Sequence, residues 1–412
     1  MTNPWNNCLK LMVCCALFLF LLSHTGPVKG QDLEDMMEEF NFLFIHHSVG
    51  GNWLHSQQGQ LRLALENPAY NDYIFEVHDA TYGDTIGEDT DVCHWLPKFQ
   101  NQMDLVLTFD YHTDNYYTDP SEFNQIVMFK SCYPASDIDE EGVPPGDPTS
   151  SDKTIWNYRA AYRACGSIFA SYPQILFVIV TAPPRNRYSS AYDVTRGTNA
   201  CIFNQWMKDC FVDDYRLATG LNNVVVFDLF GDVLAEPITD PTAPGALKEM
   251  FSSGGTDSHP NVMGSKAATI TFIPFINRVV KEWHYLFANK NRFKVSQPDE
   301  VKLFLFSEPD YAGDVYLMLG SLSGAYPGAT IGDGYHLPLN VDEFSNWTVL
   351  YSNSSFFPNF TSTLNLSGRG LAGVKTTSPL PAGFIGLTMH FAYVILFPIQ
   401  FVSNAVPISF EW

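Results

Sequence analysis

The chain has 412 residues, of which 46% are hydrophobic, 15% aromatic and 16% charged, and 44 Asp and Glu against 23 Lys and Arg give a formal charge of −21. So aromatic a composition argues against disorder, and an acidic chain with no run of Lys and Arg offers no stripe for a phosphate backbone, so no nucleic-acid partner is expected. At roughly 100 to 200 residues per domain, the length predicts two domains or one large domain with an appendage.

The apolar run 11–22, preceded by Lys10, is too short to span a bilayer and suits the core of a secretory signal, with Val28-Lys29-Gly30 as an acceptable cleavage site before Gln31. A retained anchor helix is the competing reading. Loss of residues 1–30 removes Lys10 and Lys29 and no acid, so −21 becomes −23 on a chain expected to be secreted or at the cell surface, with no stable membrane insertion. That charge disfavours anionic membranes and strongly acidic polysaccharides as partners. Cys8, Cys14 and Cys15 would leave with the signal, and Cys93, Cys132, Cys165, Cys201 and Cys210 would meet an oxidising compartment, where an odd number allows at most two disulfides. Cys201 and Cys210 fall in one predicted helix and are poorly placed to bridge each other.

Beyond the signal, short runs rich in Val, Ile and Phe predict strands at 42–47 (FLFIHH), 73–77, 125–129 (QIVMF), 175–181 (ILFVIVT) and 224–229 (VVVFDL). Helical patterns lie between and after them at 53–65, 153–171, 198–219 and 262–287, and 104–109 (DLVLTF) reads as a further strand. Strands alternating with helices predict an open parallel α/β sheet. After about residue 293 the pattern changes to strands at 301–306, 315–319, 391–397 and 401–410, broken by Gly, Pro, Ser and Asn with no amphipathic helix between them. That is the mark of a β-sandwich. The expected layout is therefore a signal peptide over 1–30, an α/β domain over 31–292 and a C-terminal β-sandwich of unknown role over 293–412. Asn346, Asn353, Asn359 and Asn365 each begin an Asn-x-Ser/Thr sequon, which a eukaryotic secretory pathway could glycosylate.

Open α/β sheets bind ligands at the carboxyl ends of their strands, so the residues that follow each strand are the place to look for chemistry. The first strand ends at Ser48, followed by Val49-Gly50-Gly51 and a helix. Glycines allow the sharp turn, and the amides of a helix start can stabilise an oxyanion, although a serine there can equally be a plain helix cap. Far downstream, Asp257-Ser258-His259-Pro260-Asn261 precedes the last helix of the α/β part. An Asp two residues before a His can orient the imidazole to take a proton from a serine hydroxyl.

Ser48 after the first strand, with Asp257 and His259 in a D-x-H-P-N loop before the last helix, resembles the SGNH/GDSL hydrolase superfamily over about residues 40–288. The HHSVGGNW, FKSCYPASD and DSHPN segments are similar to an exported subgroup of it. The resemblance implies a flavodoxin-like three-layer α/β/α fold, Ser48 as nucleophile, His259 as general base and Asp257 as its orienting acid. His46-His47-Ser48 stands where the family has Gly-Asp-Ser, and Asp257 lies two rather than three residues before the histidine. The family's oxyanion donors are the nucleophile N–H, a Gly after the second strand and an Asn after the third. Gly83 and Gly87 both offer the Gly, while Asn115 or Ser131 stands nearest to the third position.

His46, His47, His78 and His112 raise a metal site, but no HExxH-like spacing supports one and no metal or organic cofactor is expected. Lys130 could face the site or snorkel to solvent. Trp53, Trp95 and Tyr133 could line a sugar-binding cleft or pack in the core. The expected activity is that of an exported serine esterase on a small-molecule or carbohydrate ester, with O-acyl groups on carbohydrate as one substrate class. The rivals are a non-catalytic surface or carbohydrate-binding protein on the same fold and a metal-dependent hydrolase.

Overall fold

The computed structural model describes residues 39–412 apart from 72, 112–114, 119–122, 173, 174, 220, 284, 291, 326 and 333. The expected signal, with Cys8, Cys14 and Cys15, and His112 lie outside the described residues. Contacts group the chain into two compact units, Met37–Arg216 with Asn223–Val280, and Leu217–Asn222 with Lys281–Trp412.

The first unit runs β1 (Glu39–Ile45), α1 (Val49–Leu54), α2 (Leu61–Leu65), β2 (Ile74–Ala80), α3 (Val92–Asn101), α4 (Met103–Thr108), β3 (Phe109–Tyr111), β4 (Asn115–Tyr116) and β5 (Ile126–Phe129). It continues with α5 (Ile155–Phe169), β6 (Leu176–Val180), α6 (Val194–Trp206), α7 (Val212–Thr219), β7 (Val224–Phe227) and α8 (Val262–Trp283). Its main sheet is parallel throughout, in the order β2-β1-β5-β6-β7. Every residue of β5 and β6 is buried, which is why these strands read as unbroken apolar runs rather than alternating ones. Helices cover both faces: Phe42 and Phe44 meet Phe272 of α8 and Trp53 of α1, whereas Phe129 meets Trp95 and Phe99 of α3 and Phe169 of α5. From β1 the chain goes to β2 on one side and then to β5 on the other. The carboxyl ends of β1 and β5 therefore border the crevice where such sheets bind ligands.

Several expected elements differ. Residues 104–109 form α4 and the start of β3, where a strand was expected, and the 53–65 helix is two short helices separated at Gly59. A side chain at Gly59 would fall 2.2 Å from the Trp53 carbonyl oxygen, so the chain turns tightly there. The helix expected over 198–219 begins earlier, at Val194, because the Asp193 side chain accepts from the Arg196 N–H and caps it. A π-helical segment, Met207–Phe211, interrupts it before α7.

The second unit holds β8 (Leu286–Ala288), β9 (Arg292–Lys294), β10 (Glu300–Phe306), β11 (Val315–Ser321), β12 (Ala329–Ile331), β13 (Tyr335–Leu337), α9 (Glu343–Leu350), β14 (Thr361–Thr363), β15 (Arg369–Lys375), β16 (Thr388–Ile395), β17 (Phe401–Val402) and β18 (Val406–Glu411). One antiparallel sheet runs β15-β10-β8, and a larger one runs β14-β11-β16-β18-β9, with β17 beside β16 and only the β18–β9 pair parallel. Val301, Leu303 and Val374 of the first share one core with Met318, Phe391 and Ile408 of the second. The expected division at residues 292 and 293 lies later than the break at Val280, because 286–288 pairs with β10 instead of extending the long helix. The unit also carries a helix where none was expected. Asp342 accepts from the Ser345 N–H while the Ser345 hydroxyl takes the Asp342 N–H, a capping box that starts α9.

Candidate active site

Ser48 sits between β1 and α1 with φ 39° and ψ −85°, a region L-residues seldom occupy and whose cost is of order 1–3 kcal/mol. The turn is held by the Gly50 N–H donating to the His47 carbonyl at 2.8 Å and the Asn52 N–H to the Ser48 carbonyl at 3.0 Å. A sharp strand-to-helix turn of this kind presents a side chain at the end of the sheet. Gly50 is required by packing as well, since a Cβ there would lie 2.5 Å from His46 Cβ and Cγ.

The 257–259 loop is anchored from two directions. Asn261 caps α8, with its Oδ1 accepting from the Gly264 N–H at 3.0 Å and its Nδ2 donating to the Met250 and Ser252 carbonyls. On the other side, Asn186 donates through Nδ2 to the Asp257 carbonyl and to Ser252 Oγ, both at 2.9 Å, and through its N–H to the buried Ser258 Oγ at 3.1 Å. His259 is thereby aimed at Ser48, and the Ser48 hydroxyl and His259 Nε2 are hydrogen-bonded. His259 Nδ1 lies 2.6 Å from Asp257 Oδ1, which also accepts the His259 N–H at 3.1 Å. With Nδ1–H donating to the carboxylate, Nε2 is left to accept from the serine. Desolvation pushes the Asp257 carboxyl up, but the hydrogen bonds from His259 outweigh it and hold the group below the usual carboxylate range. It therefore stays ionised opposite the imidazole.

The structure places the other expected residues variously. The Gly83 N–H donates to Glu88 Oε1 at 2.7 Å and the Gly87 N–H to the Asp84 carbonyl at 2.9 Å, so both amides are committed elsewhere. The Gly87 carbonyl instead accepts from His47 Nε2 at 2.7 Å. Ser131 is buried, with its Oγ accepting from Trp95 Nε1 at 2.9 Å. Asn115 is exposed on the separate two-stranded β3–β4 ladder, which lies beside β2.

Trp53 and Trp95 do not line a cleft, since both are fully buried on opposite faces of the sheet. Tyr133 does border the pair, edge-on to His259 with centroids 5.1 Å apart. Nor does Lys130 snorkel: it is fully buried with no hydrogen-bond partner for Nζ, and burial pulls its ammonium down. His46 and His47 are likewise pulled down by burial. Among the described residues no group of His, Cys, Asp and Glu is arranged to hold a metal ion, and the five described cysteines are unpaired.

Asn186 and Arg185 were not singled out from the sequence. Both follow β6 in the Pro-Pro-Arg-Asn segment, where inspection of that strand's end would have found them. Arg185 forms a two-pronged pair with Asp137 through Nε at 2.6 Å and Nη2 at 2.5 Å, and its guanidinium lies 4.7 Å from the Tyr133 ring centroid.

No protein-family model matches the chain, and neither does a curated protein. Among solved structures, a gut microbial diltiazem-metabolizing enzyme is 11% identical, with a TM-score of 0.32, covering 77% of this chain and 63% of its own. The chain thus spans less than two thirds of that protein's length. A possible lipase from Chitinophaga pinensis DSM 2588 is 12% identical, with a TM-score of 0.28, over 58% of this chain and 98% of the other.

Proposed function

We propose that the chain is an exported serine esterase of the SGNH type on a flavodoxin-like domain, hydrolysing carboxylic esters through an acyl-enzyme. The observation that carries this reading is the continuous hydrogen-bonded series from Ser48 Oγ to His259 Nε2 and from His259 Nδ1 to Asp257 Oδ1. Ser48 Oγ attacks the ester carbonyl as its proton passes to His259 Nε2, and the Asp257 carboxylate stabilises the imidazolium. Collapse of the tetrahedral adduct returns that proton to the leaving alcohol. Water activated by the same imidazole then attacks the acyl-enzyme and releases the acid and free Ser48. The signal-like run 11–22 supports export.

Hydrolysis of a short-chain aryl ester by the wild type and by Ser48→Ala, with and without a chelator, tests the reading. Turnover by the wild type that survives chelator and is lost in Ser48→Ala is expected. A Ser48→Ala variant at the wild-type rate would sink the proposal, loss only with chelator would favour a metal-dependent hydrolase, and no turnover of any ester would favour a non-catalytic binding protein.

A further inference from the structure

One tyrosine packs on the residue before Ser48 and another on His259. The Tyr82 ring, in the loop after β2, stacks on His47, the residue just before Ser48, with centroids 3.8 Å apart and an angle of 21°. That imidazole is itself fixed by its bond to the Gly87 carbonyl, so the platform beneath Tyr82 does not turn freely. Yet Tyr82 is 60% exposed. A single exposed tyrosine is ordinary. One held flat against the residue preceding the candidate nucleophile is oriented while much of its surface stays open to solvent. On the histidine side, Tyr133 stands at 86° to the His259 ring and is backed by the Arg185 guanidinium.

Several polar side chains in this region have partners within the protein. Arg185 is held by Asp137, Asn186 Nδ2 by Ser252 and Asp257, Ser131 Oγ by Trp95 and His47 Nε2 by Gly87. A sugar ring needs several hydroxyl partners, whereas an aromatic ring needs a flat apolar face, which the stacked Tyr82 offers.

We infer that Tyr82 is a specificity-determining residue, and that the preferred substrates of the site are esters carrying an aromatic ring that stacks on it. This rests on the esterase reading. The test uses two matched pairs of unactivated esters: benzyl acetate against butyl acetate, with the ring on the alcohol, and methyl phenylacetate against methyl hexanoate, with the ring on the acid. An acetylated methyl xyloside serves as the sugar arm. In the pair whose ring lies on the Tyr82 side, Tyr82→Ala is expected to lower the aromatic-to-aliphatic ratio of kcat/KM by about tenfold, through KM, and Tyr82→Phe to keep it. An unchanged ratio in both pairs would overturn the inference, as would a preference for the xyloside that Tyr82→Ala abolishes. If the wild type turns over no ester, the esterase reading fails separately. Binding of benzyl alcohol and phenylacetate to the wild type and to Tyr82→Ala, followed by NMR shift titration, then decides: equal affinities would remove the aromatic subsite too.

Discussion

The His46 ring fills the space that a side chain at Gly50 would need, with His46 Cβ and Cγ each 2.5 Å from where a Cβ would sit. A buried imidazole on one strand end thus dictates a glycine two residues beyond Ser48, and the pair together shapes the strained turn that carries the serine. Gly50→Ala is expected to destabilise the fold by about 1–3 kcal/mol through overpacking and to lower esterase activity by displacing Ser48. Urea unfolding and kcat/KM on the same preparation check it. Wild-type values for both would mean that the His46 ring yields easily.

Under the proposed mechanism the Asp257 carboxylate serves the reaction through His259, so its replacement is expected to harm catalysis far more than folding. The carboxylate is 54% exposed, and Asp257→Asn removes a charge while keeping its shape. We expect kcat to fall by about 10²–10⁴ with little change in Tm, because an amide favours the wrong imidazole tautomer. An equal fall in both would assign Asp257 a structural role.

How much of this was legible from residues alone depended on the kind of information each feature carries. The strands of the parallel sheet stood out because 126–129 and 176–180 are buried on both faces and can tolerate only apolar side chains. Ser48 and the Asp257–His259 loop could be singled out because a serine where the first strand stops and an Asp-x-His before a helix are residue types that proton transfer would use. The hydrogen-bond partners of backbone amides leave no such trace, and so the commitment of the Gly83 and Gly87 N–H groups could not be anticipated. Residues 104–109 look like a strand by propensity, yet 103–108 closes a helical turn after α3, a tertiary override of a weak local preference. Lys130 shows the same limit. A lysine at a strand end reads as a snorkelling residue, and only the packed structure reveals its complete burial.

Lys130 carries a second prediction about stability. Its Nζ is buried without a hydrogen-bond partner, and such a group costs about 1–3 kcal/mol. Replacement by methionine of similar length should therefore raise the urea midpoint. A lower midpoint would show that the ammonium is compensated by a bound water or ion.

Stability should also depend on pH in a definite direction. His46, His47, His78 and His390 all have pKa values held below 6.5, chiefly by burial. As pH falls through about 6.5 the unfolded chain takes up protons that the folded chain resists, so it binds more protons and the native state loses stability. Tm is expected to drop from pH 7 to pH 5. A flat or rising profile over that interval would contradict the burial of these imidazoles.

The central claim is that Ser48 is a nucleophile activated by His259. Reaction with a serine-directed phosphonate, followed by intact-mass measurement and peptide mapping, tests it most directly. One adduct on the peptide containing Ser48 is expected, absent from Ser48→Ala and formed much more slowly in His259→Ala. No adduct, an adduct on another residue, or equal labelling of His259→Ala would contradict it.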